Sequence, residues 1–275
     1  MPVVRGSSKG SMKSRPIITL TTDFGLADHY VGAMKGVILS RCPEAEIVDI
    51  SHAGKTFSIW SGAYTIQQAA PYFPPGTVHV VVIDPGVGTA RKAMAAEALD
   101  QVFIAPDNGV LSLVHSRAKG FTAREITDQR LMLPAASSTF HGRDIFAPAA
   151  ATIASGEVPF AEAGPAIINP VMLSPLEPEC EHPGLWNGRI LSIDHFGNLI
   201  TNFPSRDFAS QAFRMTMGWV EISLRYSTFA EAPEGAIFCY AGSSGYLEIA
   251  MNQGSAATRL HAKPGDPIAL RTQHA

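Results

Sequence analysis

Four short apolar runs, each ending in a turn that carries Asp, His or Gly, dominate the first half of the chain. Ile17 to Thr22 stops at Asp23-Phe24-Gly25, and Ile47 to Ile50 stops at Ser51-His52. Val78 to Ile83 stops at Asp84-Pro85-Gly86-Val87-Gly88, and Val102 to Ala105 at Pro106-Asp107-Asn108-Gly109. The run at 78–83 is almost wholly aliphatic, as a strand covered on both faces requires. Between the runs the pattern turns helical. Asp28 is placed to cap a helix with Tyr30, Met34, Val37 and Ile38 on its apolar face, and Pro43 stops it. Ser58 is placed to cap a second helix with Ile59, Ala63, Ile66 and Ala70 on one face. Strands alternating with helices predict an N-terminal α/β domain over residues 16–165, with a mostly parallel central sheet flanked by helices.

The pattern then breaks. Prolines stand at 165, 170, 175, 178 and 183 with no helical period, which reads as a Pro-rich linker or wrapping segment over 166–185. From 186 to 275 short strands alternate with turns, at 189–193, 198–202, 220–224, 236–240, 246–250 and 268–271. They predict a smaller C-terminal antiparallel β-barrel or sandwich domain. Residues 1–15, with Arg5, Lys9, Lys13 and Arg15 among Gly and Ser, read as a flexible extension with no apolar stretch like that of a signal peptide.

Composition narrows the partners. Apolar residues make up 46% of the 275 and charged residues 16%, which excludes a disordered chain. A net charge of −3 supplies no broad basic field, so nucleic acid is not an expected partner. No apolar run reaches 18 residues, so no membrane span is expected. Cys42, Cys180 and Cys239 are far apart, which argues against a disulfide framework or thiolate zinc site and fits a reducing cytoplasm.

In parallel α/β sheets ligands bind beyond the carboxyl ends of the strands. The four turns lie there, together with Ser138-Thr139-Phe140-His141-Gly142-Arg143-Asp144 ahead of a helix through Phe146 to Ile153. Singly, each reads as helix caps and chain turns. Together they allow two chemistries. One is a metal centre drawn from Asp23, His52, Asp84, Asp107 and His141, although no HExxH or HxH spacing supports it. The other is a metal-free pocket in which Asp23 binds a sugar diol while Asp84, Arg91 and His141 act on a water. Spacing alone leaves both open. Gly86-Val87-Gly88 lacks the third glycine of a dinucleotide fingerprint, and Gly242-Ser243-Ser244-Gly245 lacks the Lys of a P-loop. A nucleoside without phosphates suits such a site.

Six ordered blocks carry a more specific signal. They are TTDFG at 21–25, IDPGVGTAR at 83–91, APDNGVL at 105–111, STFHGRDIFAPAAA at 138–151, DHFGNLITN at 194–202 and GSSGYLEIAMNQGSAA at 242–257. From Pro16 to about Arg271 the chain resembles the S-adenosyl-L-methionine hydroxide adenosyltransferases (adenosine-forming S-adenosyl-L-methionine hydrolases), relatives of the fluorinase and chlorinase enzymes. The resemblance implies hydrolysis of S-adenosyl-L-methionine to adenosine and L-methionine, with no cofactor and no metal. The Asp–Arg–His set of the hydrolytic branch falls on Asp84, Arg91 and His141. The halogenating branch has a Tyr-Pro-Ala-Thr-Gly type sequence in place of 84–88 and a Tyr-Ser pair in place of His141-Gly142, so water is favoured over halide here.

The resemblance also implies binding roles. Asp23 would hold the ribose hydroxyls, and Phe57, with Phe140, would pack on the nucleoside. Asn198, Ser243 and the backbone near Asn252 would bind adenine or the methionine part, and Asp194 its ammonium. Family members are similar in forming homotrimers with sites between subunits. The chain departs from the pattern at Ser58, where relatives usually carry Asp, at Gly242, where they often carry Asn, and at Ala53-Gly54-Lys55. The rival readings are a nucleophilic halogenase and a non-catalytic adenosine or S-adenosyl-L-methionine sensor.

Overall fold

The structure, a computed structural model, describes residues 15–272. Most of the extension expected over 1–15 lies outside these residues. The first domain is built on a six-stranded sheet in the order β2-β1-β3-β5-β4-β6. Its strands are β1 (Ile17–Thr22), β2 (Glu46–Ser51), β3 (Val78–Val82), β4 (Ala93–Ala98), β5 (Gln101–Pro106) and β6 (Thr122–Glu125). β2, β1, β3 and β5 run parallel, while β4 and β6 add an antiparallel edge. The sheet is therefore mostly parallel, as expected. The β4–β5 hairpin was not expected, because Ala93–Ala98 is rich in alanine, a poor strand former.

Alternation along the central strands sorts the core into two layers. Ile18, Leu20, Val80 and Val82 face α1 (Tyr30–Arg41) and, further along the chain, the helix that follows the 138–146 block; Val81, Ile83 and Phe103 face α2 (Ile59–Ala69). A short helix, α3 (Ser112–Arg117), packs beside α2, and α4 (Ala147–Ser155) beside α1. β3 is buried along its whole length, which is why it reads as an almost wholly aliphatic run, broken only by His79. Ser58 caps α2 as expected, its hydroxyl accepting the Ser61 N–H at 3.3 Å. Asp28 does not cap α1. The helix starts one residue later, with His29 at the cap position and no side-chain bond, and its buried residues are Val31, Met34 and Ile38. Tyr30, expected on the apolar face, is half exposed.

Residues between the domains wrap the first one. The Ile167 N–H bonds Ala123, Val171 N–H donates to Asp107 at 2.8 Å, and Leu173 N–H donates to Ser112 at 2.8 Å. The second domain is an eight-stranded sheet comprising β7 (Glu179–His182), β8 (Leu185–Ile193), β9 (Leu199–Pro204), β10 (Phe213–Met217), β11 (Val220–Ile222), β12 (Ile237–Ala241), β13 (Tyr246–Met251) and β14 (Pro267–Thr272). Every pairing between these strands is antiparallel. The Cys239 N–H donates to Leu224 O at 2.9 Å, which brings the two ends of the sheet together into a nearly closed barrel. Two short helices pack on it, α5 (Ser205–Phe208) against β9 and β13 and α6 (Ala256–Leu260) against β13. Tyr246, Leu191 and Ile200 pack on Ala63 and Leu113, so the barrel wall is seated on α2 and α3. Among the described residues no helix is long and apolar enough to cross a membrane.

Candidate active site

The parallel register of β1 and β3 pairs Thr22 with Val82, so the two strands deliver Asp23 and the Asp84 turn to one edge of the sheet. The turn then reverses the chain. Val87 N–H bonds Asp84 O at 3.2 Å, and the Thr89 hydroxyl donates to Gly86 O at 2.7 Å. Gly88 has φ +78, and a Cβ there would collide with the Ser138 carbonyl. Only glycine serves both demands. The reversal returns Arg91 to Asp84. Its Nε lies 3.0 Å from both carboxylate oxygens, and its Nη2 also bonds Oδ2. The side chains are 9% and 4% exposed, so this is a buried ion pair rather than a surface one.

The same Nη2 reaches His141 Nδ1 at 2.7 Å. A guanidinium only donates, so Nδ1 must hold the lone pair and the ring proton sits on Nε2. Burial pushes the imidazole below its ordinary value, and the neighbouring Arg91 charge pushes the same way. His141 is thus a neutral ring presenting one N–H away from Arg91. A structural device fixes it there. Asp144, which is 1% exposed, accepts the Ser137 N–H and hydroxyl at 2.8 Å each and the Arg143 Nε at 2.6 Å. The Ser137 hydroxyl in turn accepts the Phe140 N–H at 3.1 Å. The bend continues into a π-turn at Gly142–Phe146, and Phe146 stacks under the Arg91 guanidinium at 5.2 Å.

The other N-terminal candidates share this edge. Asp23 accepts the Phe57 N–H at 2.7 Å, which holds Phe57 at φ +64, a region that aromatic residues rarely enter. Its ring is 70% exposed, so an aromatic face is held out at the rim rather than packed in the core. Phe140 differs. It is 8% exposed and packs edge-on to Phe24 and Tyr30, as a wall residue. His52 and Asp107, the remaining members of the metal alternative, are spent elsewhere: His52 Nδ1 bonds the Thr22 hydroxyl at 2.8 Å, and Asp107 holds Val171. Among the described residues no three His, Cys, Asp or Glu side chains converge as a ligand set.

The C-terminal candidates line a cleft of about 1730 Å³ between α2, the 51–55 loop and the barrel wall. Asp194, Asn198 and Ser243 are in its lining; Asp84, Arg91 and His141 are not. Asp194 Oδ1 accepts the Phe196 and Asn198 N–H groups at 2.9 and 2.8 Å, and Oδ2 accepts Asn198 Nδ2 at 2.7 Å. Asn252 itself is turned to other partners, its amide donating to Ala232 O at 2.7 Å and its backbone bonded to Gly235 and Ala236, while Met251, Gln253 and Gly254 beside it line the cleft. Two lining residues, Glu248 and Tyr240, were not anticipated. The signal available was an acid at 248 within an otherwise apolar strand run.

A parallel-sheet edge carrying a buried acid, guanidinium and imidazole is joined here to a β domain with its own polar cleft, the frame of a two-domain enzyme. Sequence comparison is specific about which kind. The profile for the SAM hydroxide adenosyltransferase N-terminal domain matches residues 18–164, and that for the C-terminal domain matches residues 188–269. The chain belongs to the S-adenosyl-L-methionine hydroxide adenosyltransferase family. It is 39% identical over 268 residues to an (R)-S-adenosyl-L-methionine hydrolase of Thermus thermophilus, covering 93% of this chain and 99% of that one. A fluorinase of Nocardia brasiliensis is 29% identical over 292 residues, covering 94% and 97%. The crystal structure of an uncharacterized conserved protein from Thermotoga maritima, 37% identical, superposes with a TM-score of 0.83 over 92% of this chain and 99% of that one.

Proposed function

We propose that this protein hydrolyses S-adenosyl-L-methionine to adenosine and L-methionine by in-line attack of water or hydroxide on the ribose 5′ carbon. The observation that carries the reading is the buried Asp84–Arg91–His141 fork at the end of the parallel strands. The relatives named as hydrolases point the same way. In the reaction the water oxygen bonds to C5′ while the C5′–S bond breaks and its electron pair stays on sulfur. A cationic sulfonium becomes the neutral thioether of methionine, and water loses one proton. With hydroxide as nucleophile, charge is annihilated in the transition state, so a dry pocket favours the step.

Arg91 supplies the positive field that favours hydroxide. The Nε2–H of His141 donates to the nucleophile's oxygen and holds it in line. Because the lone pair of that ring is turned to Arg91, Asp84 is the better acceptor for the departing proton. A carboxylate has about four lone-pair sites, and the contacts from Arg91 leave capacity over. Asp23 receives the ribose diol and Phe57 covers the nucleoside. Asp194, Asn198, Ser243 and the backbone near Asn252 take adenine and the methionine part. No cofactor or metal takes part in these steps. In a homotrimer with sites shared between neighbours, the catalytic edge of one chain would meet the C-terminal cleft of the next.

Chromatography of the purified protein with S-adenosyl-L-methionine, with and without chloride, tests the reading. Adenosine and methionine in equal amounts are expected in both. A 5′-chloro nucleoside in chloride would make it a halogenase, and unchanged substrate would make it a binding protein.

A further inference from the structure

The APDNGVL block at 105–111 supplies no group to the Asp84–Arg91–His141 fork, yet it is bonded to both ends of the turn that carries two of its members. β3 and β5 are in register from Val78–Val102 to Val80–Ile104, and there their pairing ends. Beyond that point the two strands splay, and the carbonyl of Ile83, a residue only 2% exposed, needs a donor from outside the ladder. Asn108 supplies it. Its Nδ2 donates to Ile83 O at 2.8 Å, and its Oδ1 accepts the Val110 N–H at 3.1 Å. Both ends of the amide are used, so its orientation is fixed. One residue earlier, the Asp107 N–H donates to Lys92 O at 2.9 Å. The 106–109 turn therefore grips the residue before Asp84 and the residue after Arg91. The interdomain connector holds that turn from outside, through the Val171 N–H donated to the Asp107 carboxylate at 2.8 Å.

The Ile83 carbonyl lies in one rigid peptide plane with the Asp84 N–H and Cα, so a bond to that oxygen sets the direction in which Asp84 leaves the strand. We infer that Asn108 is a positioning residue for the reaction: acting through the Ile83–Asp84 peptide, it aims the Asp84 carboxylate at Arg91 and the nucleophile. Its amide bonds backbone groups alone and reaches the fork only through them. The inference rests on the hydrolytic reading above and adds the residue that sets the geometry of the fork from outside it.

Two variants and a second background test it. Asn108→Asp keeps the acceptor for Val110 and loses the donor to Ile83, whereas Asn108→Ala loses both. Each should lower kcat for S-adenosyl-L-methionine about tenfold to 10²-fold, the scale of a misplaced catalytic group, with KM little changed. In an Asp84→Ala background the same substitutions should cost kcat nothing further, because no carboxylate is left to aim. Equal losses in both backgrounds would mark a purely structural residue and overturn the inference, as would wild-type kcat in Asn108→Asp. Crystal structures of wild type and Asn108→Asp supply a readout that needs no turnover. The Asp84 carboxylate should leave its two-oxygen contact with Arg91 Nε in the variant, and an unchanged contact would overturn the inference. Wild type that consumes no S-adenosyl-L-methionine would sink the hydrolase reading, while the two crystal structures would still decide this one.

Discussion

Breaking the Asp84–Arg91 pair should have different consequences when one partner is removed and when both are. The side chains are 4% and 9% exposed, so neither charge can turn to water once its partner is gone. Removing one member of a buried pair costs about 3–5 kcal/mol, whereas replacing both by apolar groups of similar volume is close to neutral. Arg91→Met and Asp84→Leu should therefore each lose about 3–5 kcal/mol, and simple addition would give the double variant roughly 6–10. The structure predicts a double variant no more than about 2 kcal/mol below wild type, of which about 1 reflects His141 Nδ1 losing its donor. Urea unfolding followed by circular dichroism, at one protein concentration, measures all four corners of the cycle. Turnover of the double variant should still fall on the order of 10²-fold or more, because the field on the nucleophile is gone. A double variant as unstable as the sum of the singles would mean the charges are solvated. Near-wild-type turnover in it would remove the pair from the mechanism.

Other expectations follow from particular contacts. His79 is fully buried in β3, bonded to the Thr19 hydroxyl at 2.7 Å and stacked on Phe103, and burial pushes its imidazole from 6.5 down to about 4. The unfolded chain then binds the extra proton between those values. Stability is full above pH 6.5 and falls by about 3 kcal/mol as pH drops to about 4, a dependence that His79→Phe should remove in urea titrations at both ends of the window. Gly88→Ala should unfold at lower temperature and lose most turnover, since its methyl group would push the 84–91 turn off Ser138; a fully active, equally stable variant would show that this approach does not position Arg91. Co-refolding inactive His141→Ala with inactive Asn198→Ala tests the shared site. Random trimers would regain about a quarter of the wild-type sites, and no recovery would place each site within one chain.

The sequence was most legible where the physics is local. A strand buried on both faces must be mostly apolar, and Val78–Val82 is apolar at every position but His79. A hydroxyl at a helix start can only usefully cap, and Ser58 does. The β4–β5 hairpin was not legible, because alanine earns its place there through burial against Phe103 and Val110 rather than through strand preference. Asp28 fails as a cap because the chain turns into the helix one residue later, which no spacing rule resolves. Asp84, Arg91 and His141 could be nominated from their turns and from the family resemblance. Their convergence depends on the Thr22–Val82 register and the Gly88–Ser138 approach, both products of tertiary packing. Glu248 escaped notice since a buried acid in a strand declares itself only once its cleft is known.

The most direct test of the account is the fate of solvent oxygen. Purified protein incubated with S-adenosyl-L-methionine in ¹⁸O-labelled water should yield adenosine carrying one labelled oxygen, at the 5′ hydroxyl, alongside unlabelled methionine. Label in methionine, or adenosine without label, would contradict attack by water at the 5′ carbon and with it the role assigned to the Asp84–Arg91–His141 fork.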